Sequence, residues 1–162
     1  MKPIVRADCK KSVLWMPILL WIILVGIVVG TTAAAGKAPA LVGAFFLAFC
    51  LWQTGCWVPM AFTRIEAFPD YLAATRFGRP VLRLEYSKID ALPQRSGHSM
   101  TEYRVRSNGK TVLRFTDSFI CHEALYDLIC CKVIENRCGV NSPEARRQRA
   151  SFEMTYKRIL SK

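Results

Sequence analysis

Residues 13–31, VLWMPILLWIILVGIVVGT, and residues 38–62, APALVGAFFLAFCLWQTGCWVPMAF, contain no acid and no base. About 20 apolar residues are enough to cross the hydrocarbon core of a bilayer. Each run is therefore read as a membrane span, and together they form a helical hairpin over residues 13–62. The rest of the chain is placed around that hairpin: a basic N-terminal arm over 1–12, a small soluble domain over 63–140, and a basic tail helix over 141–162.

A cleavable signal sequence is the competing reading of the first run. Lys2, Arg6, Lys10 and Lys11 precede it, and Ala33-Ala34-Ala35 offers a small-residue cleavage site. Signal sequences, however, use an apolar core of only about 7–15 residues. Trp15 and Trp21 suit a retained span, and Pro17 falls where a first helical turn tolerates it.

Basic residues close to the membrane stay in the cytoplasm. Four flank the first run, only Lys37 lies in the Gly36–Pro39 connection, and Arg64 opens a basic segment after the second. Both termini are expected in the cytoplasm, with the protein multi-pass in a bacterial inner membrane. The short connection makes the two helices antiparallel neighbours. Small residues (Gly26 and Gly30; Ala40, Gly43, Ala44 and Ala48) are expected at their contact, with Gln53 or Thr54 bonding from helix to helix.

The chain carries seven cysteines, an odd number, with Cys50 and Cys56 inside the second run. Cys121, His122, Cys130, Cys131 and Cys138 invite a zinc reading, but they contain no C-x2-C pair of the kind that structural zinc sites use. Reduced cysteines packed as small hydrophobes are the preferred reading. No metal, cofactor or catalytic residue is expected. His98 and His122 are the only histidines and are read as solvated, while Asp90, Asp117 and Glu123 are read as turn and capping groups.

Between Arg64 and Val140 the composition is that of one small core. Leu72 to Arg76 and Val81 to Tyr86 read as strands around a Phe77-Gly78-Arg79-Pro80 turn, with Leu82, Leu84 and Tyr86 alternating against Arg83 and Glu85. Thr101 to Arg106 and Thr111 to Phe115 form a second hairpin. A two-residue Asn108-Gly109 turn would oppose Tyr103 to Arg114 and mix the faces. A three-residue Ser107-Asn108-Gly109 loop pairs Tyr103 with Leu113 and is preferred. Thr116-Asp117-Ser118 supplies caps for a helix over Phe119 to Arg137. Its stripe is Cys121, Ala124, Leu125, Leu128 and Ile129, and it stops at Gly139. The expected core joins Leu84, Tyr86, Tyr103, Leu113, Phe115, Leu125 and Ile129.

The run Gly78-Arg79-Pro80-Val81-Leu82-Arg83-Leu84-Glu85-Tyr86-Ser87-Lys88-Ile89 resembles the glycine, basic residue, strand, tyrosine, x, x, isoleucine element of bacterial pleckstrin-homology-like (PH-like) domains, including the YcxB-like group. In those proteins a two-helix hairpin commonly precedes the domain. The resemblance implies an α+β membrane protein with a bent antiparallel sheet or split barrel closed by a C-terminal helix. It implies a non-catalytic module that binds lipid or protein.

The net charge is +11, from 23 basic and 12 acidic residues. Each basic residue near an anionic membrane contributes about 1 kcal/mol of attraction, so anionic lipid is the expected partner. Nucleic acid ranks below it because the aromatic and basic interleaving of a nucleic-acid module is missing, and no small-molecule substrate is indicated. In the tail, Ser142-Pro143-Glu144 starts a helix. Arg146, Arg147, Arg149, Lys157 and Arg158, with Phe152 and Tyr156, are the candidate lipid-binding residues. Such a basic amphipathic helix lies on a membrane, docks on its own domain, or frays. The rival to a binding module is an accessory or assembly subunit whose hairpin packs on a membrane-protein partner.

Overall fold

The computed structural model describes residues 2–35, 40–97 and 100–161. The chain forms two compact units, one of residues 10–62 and one of residues 1–9 with 63–162. It is a mixed α+β protein with two apolar helices and two antiparallel sheets.

In the first unit, α1 (Trp15–Ala35) and α2 (Ala40–Ala61) follow a 3-10 turn over Lys11–Leu14. Both helices are long and apolar enough to cross a membrane. Each presents large apolar side chains outward, such as Ile22 and Val25 on α1 and Leu51 and Trp52 on α2. At the glycines expected at the helix contact, Gly26, Gly30 and Gly43, a built Cβ would meet nothing within 4 Å. Bulkier groups make the contact. Leu24 and Cys50 are buried, and Trp21 Nε1 donates to Thr54 Oγ1 at 2.9 Å. Thr54 thus provides the helix-to-helix bond. Gln53 does not, since its Oε1 accepts from Trp57 Nε1 within α2 at 2.7 Å. Lys37 falls outside the described residues.

The second unit contains a strand that the sequence reading leaves in a free arm. β1 (Val5–Asp8) pairs antiparallel with β2 (Thr63–Ala67), matching Val5 with Ala67 and Asp8 with Arg64. Val5, Ala7 and Cys9 are buried while Arg6 points to solvent, which is the alternation of a strand with one wet face. The apolar hairpin is therefore an insertion between two adjacent strands and does not precede the domain. β3 (Tyr71–Arg76) and β4 (Arg79–Glu85) complete a four-stranded sheet in the order β1-β2-β3-β4. β5 (Gln94–Ser96), β6 (Glu102–Ser107) and β7 (Lys110–Thr116) make a second sheet. Among the described residues the two sheets share no strand pairing and do not close into a barrel.

The β6–β7 hairpin departs from both registers considered for it. Its turn is the two-residue Asn108-Gly109, with φ of 52° and 71°, and Ser107 pairs with Lys110. A register shift after Val105 leaves Val112 as an extra residue, so Tyr103 faces Phe115 and Val105 faces Leu113. One bulge reconciles the short turn with a single apolar face. The β3–β4 hairpin repeats the device. Phe77 and Gly78 take φ of 51° and 76°, Arg76 pairs with Arg79, and Val81 is the extra residue.

α3 (His122–Cys138) packs against β1, β2 and the 3-10 turn Tyr86–Lys88. It starts later than expected because the preceding residues are already engaged. Phe119 is buried and bridges Cys9, and Ile120 N donates to Asp8 O at 2.8 Å. Cys121 sits in the left-handed region as the N-cap, outside the helix. Asp117 does not cap either; its carboxylate accepts from Thr101 N at 3.1 Å. Ala124, Leu125, Leu128 and Ile129 are buried as expected, and Gly139 (φ 87°) ends the helix. All seven residues expected in the core are buried. Phe119, Ile65, Leu72, Val105 and Val133 join them.

Candidate functional site

The tail forms α4 (Pro143–Leu160), capped by Ser142 Oγ, which accepts from Ala145 N at 3.1 Å. An apolar stripe at helical spacing must be covered, and α3 covers this one. Ala145 and Thr155 are buried, and Phe152, Tyr156 and Ile159 are half-buried along the same stripe. Phe152 and Tyr156 stack on each other with centroids 5.5 Å apart. Of the outcomes open to this helix, docking on its own domain is the one observed.

A polar seam fixes the two helices antiparallel. Arg158 pairs with Glu123 at 3.1 Å, Thr155 Oγ1 donates to Asp127 at 2.8 Å, and Arg149 Nε donates to Glu135 at 3.2 Å. Glu135 also receives Lys132 at 2.9 Å. Burial opposes ionisation of Glu135, but the Arg149 and Lys132 bonds outweigh it and hold its carboxyl below the usual carboxylate value. Glu135 in turn raises the Arg149 guanidinium.

The seven candidate residues therefore do not form one surface. Arg149 and Arg158 are turned toward acids of α3, and Phe152 and Tyr156 lie along the α3-facing stripe. Arg146, Arg147 and Lys157 are exposed, and no acid pairs with them among the described residues. They also lie far apart along the helix: Arg146 and Lys157 are separated by about 16 Å of helix axis.

Strand registers and hydrogen bonds show which groups share an end of this unit. The chain leaves it at Cys9 and returns at Thr63, and Thr63 pairs with Arg76. The Phe77-Gly78 turn therefore belongs to that end. So does the start of α3, through the Cys9–Phe119 bridge and the Ile120–Asp8 bond. The Glu123–Arg158 pair brings the last turn of α4 to the same place. Asp8 there is held by Arg6 at 3.0 Å and Arg64 at 2.7 Å, and Arg76 Nε donates to Thr63 Oγ1 at 3.3 Å. The opposite end carries Asp90, the Asn108-Gly109 turn, Arg137 and the first turn of α4.

His122 is half-buried rather than solvated, with Nδ1 2.9 Å from Phe119 O and its ring 5.9 Å from that of Tyr103. His98 falls outside the described residues. Among the cysteines of the second unit, burial raises Cys121 and Cys131 and pushes Cys130 up to about 11, which favours the neutral thiol. No group of three or more His, Cys, Asp or Glu placed to hold a metal occurs among the described residues. β1, whose strict alternation of Val5, Ala7 and Cys9 with Arg6, Asp8 and Lys10 was the available signal, is what sequence reasoning missed in this region. No family model matches the chain, and neither a curated protein nor a solved structure matches it.

Proposed function

We propose that this chain is a membrane-anchored, non-catalytic binding module of PH-like type, with its α+β unit on the cytoplasmic side in contact with anionic lipid. The observation that carries the reading is the insertion of the two apolar helices between paired strands. With β1 ending at Asp8 and β2 beginning at Thr63, two crossings would tether the domain through adjacent strands, which limits how far it can move from the surface. A tether of this kind raises the effective concentration of weak contacts. The net charge of +11 supplies those contacts with an anionic surface. A four-stranded and a three-stranded antiparallel sheet with α3 after them support the PH-like part of the reading.

An accessory-subunit reading is favoured by the open space at Gly26, Gly30, Gly43 and Gly55, where a further helix could approach closely. Native mass spectrometry of the full chain released from membranes in mild detergent separates the two. The module reading expects anionic phospholipid retained on an otherwise lone chain. A stoichiometric second protein would overturn it in favour of the subunit.

A further inference from the structure

We infer that the end of the α+β unit at Cys9 and Thr63 is a membrane-seating foot, in which Phe77, Ile120 and Leu160 enter the bilayer interface while Arg76, Arg79 and Lys157 meet anionic headgroups. This rests on the reading that α1 and α2 cross a bilayer.

Three separate segments bring an exposed large apolar side chain to this one end: the β3–β4 turn with Phe77 at 55 %, the connection before α3 with Ile120 at 51 %, and the last turn of α4 with Leu160 at 71 %. Thr63, paired with Arg76, follows the end of α2 at Ala61 by two residues. A span that ends there leaves the Phe77-Gly78 turn within a few residues of the bilayer surface. Apolar side chains backed by basic residues suit that region.

Both hairpins use two residues with positive φ followed by a bulge, and the β6–β7 hairpin fills the first position with Asn108. Asparagine suits that position, whereas a bulky aromatic there is strained. Strained residues of this kind gather at binding sites. Cys121, beside Ile120, is a second non-glycine residue in the left-handed region at the same end.

The test is photo-crosslinking of the full chain in nanodiscs, with p-benzoylphenylalanine placed at Phe77, Ile120 or Leu160. Val140, exposed but outside this end, is the negative control, and the outward-facing Val25 of α1 is the positive one. In phosphatidylglycerol-rich discs, intact mass is expected to show lipid adducts at the three positions at least about fivefold above Val140. Adducts at Val25 with only background at all three would overturn the foot and leave the membrane reading standing. Absence of adducts at Val25 would remove both. In neutral phosphatidylcholine discs the yield at position 77 is expected to fall at least about threefold, and an unchanged yield would overturn the headgroup part. Phe77→Asn suits the turn and leaves the chain folded. It is expected to lower the yield at position 120 by a similar factor, and an unaltered yield there would also count against the foot.

Discussion

The carboxylate of Asp90 closes the turn at Gly109, accepting from the backbone N of Asn108 at 2.9 Å and of Gly109 at 2.6 Å. Asp90 N also donates to Arg106 O at 3.0 Å, and Arg137 of α3 donates to Asp90 O. One residue thus joins the segment after β4, the β6–β7 hairpin and the end of α3.

Replacing Asp90 tests this junction. Asp90→Ala leaves two turn N–H groups to water, and bonds to a charged acceptor contribute about 1.5–3 kcal/mol. Exposure of the turn places the expected loss at about 1–2 kcal/mol in chemical denaturation. Asp90→Asn, which keeps one acceptor oxygen, should lose less. Equal stability of the wild type and Asp90→Ala would show that the turn holds itself.

Glu135 gives the unit a pH signature. Its carboxyl titrates below its ordinary value because the Arg149 and Lys132 bonds outweigh burial. A carboxyl depressed in the folded state contributes stability that is present above its unfolded pKa of about 4.3 and is lost as pH falls through the folded value. Glu135→Gln should therefore lower Tm by about 2–5 °C at pH 7. The gap should narrow below pH 4, and a constant gap across pH 3–7 would contradict the linkage.

Phe77→Asn should stabilise the fold, by about 1 kcal/mol, because it replaces an aromatic side chain in the left-handed region by a residue that tolerates it better. Denaturant midpoints compare the two directly. A loss of stability instead would mean that Phe77 is needed for packing and that its strain has a structural origin.

Periodicity carried much of the fold. The spacing of Ala124, Leu125, Leu128 and Ile129 is that of a helix facing a core, and the faces of the hairpin at Tyr103, Leu113 and Phe115 follow from alternation. Bulges at Val81 and Val112 left no such mark, because one extra residue shifts the register without changing composition. The tail shows the same boundary. Its amphipathic pattern is legible, but whether a bilayer or a neighbouring helix covers the apolar stripe depends on α3 side chains such as Glu123, Asp127 and Glu135, more than ten residues away in sequence. β1 failed for a related reason: a four-residue strand is weak evidence alone, and its partner lies beyond both apolar helices.

That strand gives the most decisive experiment on architecture. Val5, Ala7 and Cys9 are buried, and complete burial of a valine alone is worth about 1.5–3 kcal/mol. Residues 63–162 without the N-terminal segment should therefore lose on the order of 3–5 kcal/mol and expose the β2 edge, a template for aggregation. Because Asp8 and Arg64 are paired, Cys9 and Thr63 face each other across adjacent strands, where a short hairpin turn can join them. Residues 1–9 joined to 63–162 through an Asn-Gly turn, with 10–62 removed, should give a soluble, cooperatively unfolding domain. The fragment 63–162 should unfold at clearly lower denaturant or aggregate. Equal stability of the two would show that β1 contributes nothing to the domain, and the tether between paired strands would lose its basis.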